Sequence, residues 1–321
     1  MRAIIQDRYG EPDVLELAEI ETPVARPGEV LIRVGGASVF VGDWHIMVGR
    51  PYVFRLVNGF SRPKIRVRGQ DVAGTIEAVG PGVERFHPGD EVFGTCSGSF
   101  ADYATASENK IAPKPANLSL EQAATVPITA TTALQGLRKG KVRAGQHVLV
   151  IGAAGGVGSF AVQIATALGA HVTGVCSTMQ VELVRSLGAQ TVVDYTHEDF
   201  VETGRRYDAI LVTAGHDRVA RLRRGLAPGG SLVIVGAEGG GRWFGGIGRQ
   251  LRAQMLSPFT KQWLGTFVAR QNGKDLLVLK DLIEAGRVTP VIDSRYSLGD
   301  VPKAILHIEE GHGQGKVLIT V

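Results

Sequence analysis

Residues 148–158 read Val-Leu-Val-Ile-Gly-Ala-Ala-Gly-Gly-Val-Gly, and this stretch decides the fold. Val148 to Ile151 are four apolar residues in a row, which predicts a short strand buried on both faces. Gly152 to Gly156 let the backbone turn tightly and come close to a ligand, and Gly158 lets the following helix pack against the strand. A helix starting here points unpaired N–H groups and its positive dipole end into the turn, which favours a diphosphate. Set against the dinucleotide pattern Gly-x-Gly-x-x-Gly, the run Ala153-x-Gly155-x-x-Gly158 carries alanine in first place.

A glycine motif alone is weak, so its surroundings decide. Val157, Phe160, Ala161, Ile164, Ala165 and Leu168 recur at helical spacing and stop at Gly169. His171 to Cys176 then reads as a second strand, which completes a right-handed βαβ unit. Working outward, further apolar runs at 147–152, 191–194, 208–213 and 231–236 predict a parallel sheet, and 266–270 offers a sixth strand. Glu121 to Gly136 carries helix formers interrupted by Pro127, and Asp275 to Ala285 is an amphipathic helix. The first 120 residues differ. Short alternating segments such as Glu29 to Val34 and Val72 to Val79 are punctuated by Pro27-Gly28, Gly80-Pro81-Gly82 and Pro88-Gly89-Asp90, which predicts a small barrel or sandwich.

The bulk numbers bound the rest. At 321 residues two domains are the better expectation, and 44% hydrophobic with 21% charged residues fits a globular protein. The 43 glycines exceed the ordinary share of about 7% and imply many tight turns. A net charge of +4, spread along the chain, implies no nucleic-acid partner. With only Cys96 and Cys176, no disulfide framework exists, and a cytoplasmic location is expected. No apolar stretch reaches the roughly 18 residues a spanning helix needs, so no membrane insertion is expected.

The chain resembles the medium-chain dehydrogenase/reductase superfamily in its zinc-independent quinone oxidoreductase branch. The resemblance covers essentially all residues and is carried by Gly69-Gln70-Asp71-Val72-Ala73-Gly74, Glu77-Ala78-Val79-Gly80, Phe86-His87-Pro88-Gly89-Asp90-Glu91-Val92, the glycine turn, and Gly315-Lys316-Val317-Leu318-Ile319. It implies an α/β fold: a Rossmann dinucleotide-binding domain plus a GroES-like β-barrel domain, with the active site in the cleft between them and a homodimer as the usual assembly. The expected division is 1–123 for the first part of the catalytic barrel, 124–268 for the Rossmann domain, and 269–321 for the return to the barrel. Zinc members of the superfamily place a cysteine and a histidine where this chain has Phe40 and Gln70. A phenyl ring has no lone pair and an amide is a poor zinc ligand, so no metal is expected.

NAD enzymes of the Rossmann type hold the adenine ribose with a carboxylate at the end of the second strand. Here Cys176 stands there, followed by Ser177 and Thr178, whose hydroxyls can donate to a 2′-phosphate or simply cap a helix. With no acidic residue to repel that phosphate, NADP(H) is the expected cofactor, although Met179 occupies a place often held by a cation. The cradle is expected from Ala154, Gly155, Gly156, Val157 and Gly158. By resemblance, Tyr195 lies against the adenosine phosphate, Thr132 near the nicotinamide ribose, and Thr213, Val235, Gly236 and Phe267 around the nicotinamide. Lys316 neutralises the pyrophosphate or is a solvated lysine.

Hydride transfer without zinc leaves developing negative charge to hydrogen-bond donors or a protonated side chain. The catalytic candidates fall in Val39-Phe40-Val41-Gly42-Asp43-Trp44-His45 and at Tyr52. His45 is suited to proton donation near neutrality or is a barrel-surface histidine. Asp43 orients neighbours or caps a helix. Phe40 stacks on an aromatic substrate or fills the space left by zinc. Where relatives often read Asp-Asn-Val-Gly, this chain has Thr213-Ala214-Gly215-His216. Two basic stretches, 50–68 and 242–252, read as a lid over the cleft and as an amphipathic surface helix. The expected activity is NADPH-dependent transfer of hydride to a quinone, enone or reactive carbonyl, a small hydrophobic substrate. A non-redox biosynthetic step on the same fold, or a cofactor-binding interaction protein, are the alternatives.

Overall fold

A long strand with two glycines at its centre organises the first half of the chain. In this computed structural model, which describes residues 1–321 except 236–242, 244, 245 and 312 and the side chains of 247, 249 and 259, β1 (Arg2–Gln6) and β2 (Leu15–Glu19) form an antiparallel ribbon. β3 (Glu29–Val39) follows, then α1 (Val41–Val48), α2 (Arg55–Asn58), β4 (Asp71–Val79), β5 (Glu91–Thr95), β6 (Tyr103–Ser107) and β7 (Ile111–Pro113). β3 pairs with β6 along its first half and with β4 nearly throughout, its register shifting between Val34 and Gly36. A strand that changes partners at a bulge bends, and Gly36 marks the place. A Cβ there would stand 3.0 Å from the Glu121 Cα of α3 (Leu120–Ala124), so the glycine lets that helix lie against the sheet. The helix predicted over 121–136 is two helices, α3 and α4 (Pro127–Lys139), parted by the proline that starts the second.

The glycine turn follows β8 (His147–Ile151) and opens α5 (Gly156–Ala167), as its sequence predicts. β9 (His171–Cys176), α6 (Val181–Ser186), β10 (Thr191–Asp194), β11 (Tyr207–Val212), α7 (Val219–Gly225), β12 (Leu226–Ile234), α8 (Ile247–Leu256) and β13 (Trp263–Thr266) follow. Among the described residues these strands make a six-stranded parallel sheet in the order β10-β9-β8-β11-β12-β13. This is Rossmann order, with the direction of winding reversing between β8 and β11. The sixth strand lies at Trp263–Thr266, earlier than the 266–270 run. Its backbone pairs from Ser231 to Ile234 with Trp263 to Thr266, so register against β12 overrides the apolar run. Leu149, Val175, Ile210, Leu232 and Leu264 are buried in one cluster across this sheet.

The chain then returns through α9 (Gly273–Glu284), β14 (Ile292–Ser297), α10 (Val301–Glu309) and β15 (Lys316–Thr320), and β15 pairs antiparallel with the end of β3. Two compact units result. One holds Met1–Thr131, Gln271–Ala285 and Pro290–Val321, the other Thr132–Arg270 and Gly286–Thr289. The first limit falls eight residues beyond the 123/124 division drawn from sequence, because α3 packs on β3 and β4 and the Ile128 amide at the start of α4 donates to Asp71 of β4; the second falls two residues beyond 268/269, and Gly286–Thr289, expected in the return to the barrel, belong to the other unit.

Candidate active site

In the second unit, parallel pairing brings the carboxyl ends of all six strands to one edge, and the turn after β8 sits where the winding reverses. Gly152 is in the left-handed region at φ 81°, and its amide and that of Ala153 are held by the Val175 carbonyl of β9. A Cβ at Gly158 would stand 2.0 Å from the Gly152 oxygen, so only glycine lets α5 begin this close to β8. The first-turn amides of Gly156, Val157 and Gly158 have no acceptor within the helix and carry its positive dipole end. Ala154 is buried, and a Cβ at Gly155 would meet only the Gly152 oxygen, at 3.5 Å. The turn is thus an open cradle of backbone donors, and it fits a dinucleotide diphosphate.

The remaining expected contacts sort into residues that face the cradle edge and residues that build it. Val235 follows β12 and Phe267 follows β13 at that edge, while Thr132 is half-buried on the second turn of α4. Gly236 lies outside the described residues. Thr213 builds the turn. Its hydroxyl donates to the Ile151 and Gly152 carbonyls at 2.8 and 3.1 Å, so it clamps the glycines from β11. Ser177 stands at the N-cap of a short turn with its side chain capping nothing, so its hydroxyl is not spent there.

Thr178 corrects the sequence reading. Its hydroxyl donates to the Asp194 carboxylate at 2.6 Å and also meets the Thr196 hydroxyl. Asp194 ends β10 directly opposite Cys176, so an acidic residue does stand at the adenosine end of the edge. The hydroxyls of Thr178 and Thr196 hold its carboxyl below the usual range, so it is anionic at neutral pH. Only strand register brings position 194 beside position 176. Tyr195 follows, mostly exposed, with its amide bonded to the Cys176 carbonyl.

In the first unit Phe40, Asp43, His45 and Tyr52 cluster around α1. For Asp43 the capping reading holds and its place among the catalytic candidates falls: it is buried, and its carboxylate accepts the Phe40 amide at 3.1 Å. Its other oxygen has no partner, and desolvation pushes its pKa up to about 7, against the pull of Arg68 and the Phe40 amide. His45 Nδ1 lies 2.9 Å from the Arg50 carbonyl, which can only accept, so Nδ1 carries the hydrogen and Nε2 is the basic nitrogen of the neutral ring. Its ring packs edge-on against Trp44 and Phe54. The Arg55 guanidinium lies 4.8 Å from the Tyr52 ring centroid and 4.4 Å from that of Tyr9. The Phe40 ring covers Gly42, where a Cβ would stand 2.1 Å from its edge.

Behind Phe40 lies a group that sequence reasoning quoted but gave no role. Asp71, fully buried on β4, accepts from the Ser38 hydroxyl at 2.9 Å, the Ile128 amide at the start of α4 at 2.9 Å, and Lys316 Nζ at 3.2 Å. Lys316 is 2% exposed, also donates to the Val39 carbonyl, and sits 6.0 Å from the Phe40 ring centroid. Its ammonium is the counter-ion of Asp71, neither a solvated lysine nor a cation presented to a pyrophosphate. Burial raises the Asp71 carboxyl above its ordinary value, and the ammonium draws it back. The signal in the sequence is a carboxylate at the head of the short run Asp71 to Gly74, which is otherwise apolar and is buried throughout. Burial pushes the Cys176 thiol up to about 11 and the Cys96 thiol higher still, which keeps both protonated at neutral pH. Among the described residues no group of three or more histidines, cysteines or carboxylates is placed to hold a metal.

A glycine cradle at the reversal point of a six-stranded parallel sheet defines a dinucleotide-binding protein of the Rossmann class. Comparison with known proteins narrows this. An alcohol dehydrogenase GroES-like domain model matches residues 26–116, and a zinc-binding dehydrogenase model matches residues 187–319. The 2-methylene-furan-3-one reductase of Solanum lycopersicum is 32% identical, covering 99% of this chain and 79% of its own. The chloroplastic NADPH-dependent alkenal/one oxidoreductase of Arabidopsis thaliana matches at the same identity and coverage. The quinone oxidoreductase structure from Coxiella burnetii superposes with a TM-score of 0.88 at 27% identity, covering 100% of this chain and 99% of that one. The chain belongs to the medium-chain dehydrogenase/reductase superfamily, in its quinone oxidoreductase-like branch.

Proposed function

We propose that this protein is an NADPH-dependent reductase that delivers hydride to a quinone, enone or reactive carbonyl. The observation that carries the reading is the cradle at Gly155 to Gly158, where the first-turn amides of Gly156, Val157 and Gly158 have no acceptor within the helix and the glycines leave room for two linked phosphates. Its relatives named as NADPH-dependent and as enone and quinone reductases support the cofactor and the acceptor class. NADPH supplies the hydride. Thr213 holds the turn in shape, Ser177 offers a hydroxyl to the adenosine end, and Phe40 gives the first unit a flat apolar surface for a small hydrophobic acceptor. His45, with its Nδ1–H held by the Arg50 carbonyl, takes up a proton from solvent at Nε2 and passes it to the acceptor after the hydride.

Purified protein mixed with NADPH and a panel of quinones, enones and aldehydes tests this by loss of the absorbance of the reduced nicotinamide ring. Turnover with at least one class is expected. Tight NADPH binding with no turnover on any of them overturns it. We also propose a homodimer joined through the β13 edge, which among the described residues ends the sheet order and pairs on one side only, to be checked by light scattering. Two unpaired cysteines suit a reducing cytoplasm. No helix among the described residues is long and apolar enough to cross a membrane.

A further inference from the structure

The basic stretch 50–68 reads as a lid from sequence, but its cations divide into two sets. Arg55 contacts the rings of Tyr9 and Tyr52 and donates to the Gly49 carbonyl. Arg66 is paired with Asp7, and Arg68 is buried. These three, with Asn58 bonded to the Phe54 carbonyl and Tyr9 bonded to the Gly59 carbonyl, fasten the inner side of the segment. Gly59, at φ 118°, then turns the chain so sharply that a Cβ would collide with the Arg62 carbonyl.

What this scaffold holds outward is apolar and basic. Leu56, Val57, Phe60 and Ile65 are 69%, 73%, 81% and 51% exposed, and Arg62 and Lys64 stand exposed among them. No acidic residue occurs between Asp43 and Asp71 in the chain. We infer that this tip of the first unit docks on an anionic lipid bilayer, with Phe60, Leu56, Val57 and Ile65 entering the headgroup boundary and Arg62 and Lys64 meeting lipid phosphates. A phenyl ring this exposed protrudes, so it suits a deformable surface that yields to it better than a preformed groove. The two cations complement an anionic surface, whereas a second copy of the same tip would bring like charges together. Interfacial docking needs no spanning helix, and it holds whether or not the chain reduces quinones.

Flotation with vesicles of phosphatidylcholine alone, or mixed with phosphatidylglycerol, tests the inference on the full chain. Binding is expected only to the anionic vesicles and is expected to weaken with salt. Arg62→Gln and Lys64→Gln should each weaken it by about fivefold. Leu56→Ser with Phe60→Ser should abolish stable binding while the melting temperature stays unchanged, because neither side chain packs inside. Three results would overturn the inference. One is no flotation with anionic vesicles at low salt. Another is flotation indifferent to the Leu56→Ser/Phe60→Ser change. The third is a serine variant that alters instead the dimer constant, or the KM for a water-soluble acceptor, which would assign the tip to a second copy or to the substrate.

Discussion

Replacing Asp71 with asparagine strands a positive charge. Asparagine keeps the shape, and its oxygen can still accept the Ile128 amide, so the main loss is the countercharge of Lys316. That ammonium is 2% exposed, and breaking a buried pair from one side costs about 3–5 kcal/mol. For a domain of this size each kcal/mol moves the melting temperature by about 2–4 °C, so the first unit should melt roughly 6–20 °C lower. Lys316→Met strands the carboxylate instead. Its cost should shrink as pH falls, because the buried carboxyl, already raised by desolvation, takes up a proton once the ammonium is gone. The double variant Asp71→Asn/Lys316→Met leaves no unpaired charge and should recover most of the loss, to within about 2 kcal/mol of the parent. Calorimetry that resolves the two units, with Asp71→Asn, Lys316→Met and the double change, measures the coupling. If the double variant loses the sum of the two singles to within about 0.5 kcal/mol, the pair is not coupled and the reasoning fails.

Gly155→Ala should fold normally, since its Cβ meets only ordinary contact, yet weaken NADPH binding at least about tenfold by filling the cradle; equal binding by calorimetry would show that the phosphates sit elsewhere. Asp43→Asn keeps an acceptor for the Phe40 amide but removes a carboxyl whose pKa is raised from 3.8 to about 7. Such a raised carboxyl makes the folded state lose stability as pH climbs through that interval, by about 1.4 kcal/mol per pH unit and at most roughly 4 kcal/mol. The parent should therefore weaken between pH 4 and 7, and a variant whose urea midpoint tracks the parent over that range contradicts the assignment. Met179→Arg, at a position 86% exposed, should favour NADPH over NADH by about tenfold through one charge-assisted hydrogen bond of roughly 1.5 kcal/mol. Asp194→Asn should shift the same ratio in the same direction, and steady-state kinetics with both coenzymes that show no change in either variant would place the 2′-phosphate away from this edge.

Apolar period and glycine placement determined much of this protein from the sequence alone. Val148 to Gly158 can be little other than a buried strand turning into a helix, because each step is local: strand, left-handed turn, first helical turn. The same holds for the stripe of α9, read over Asp275 to Ala285, but not for its start at Gly273 with Asn272 as cap.

Only the tertiary structure decided the rest, because it depends on register between segments far apart in the chain. Nothing near position 178 shows that its hydroxyl is spent on Asp194; the alignment of β10 against β9 puts them together. Asp43 reads equally as a catalytic or a capping residue until burial turns it inward. Lys316 and Asp71 lie 245 residues apart, and they become a buried ion pair only because β15 closes on β3 beside β4. Local patterns specify elements, whereas desolvated charges are specified by which elements meet.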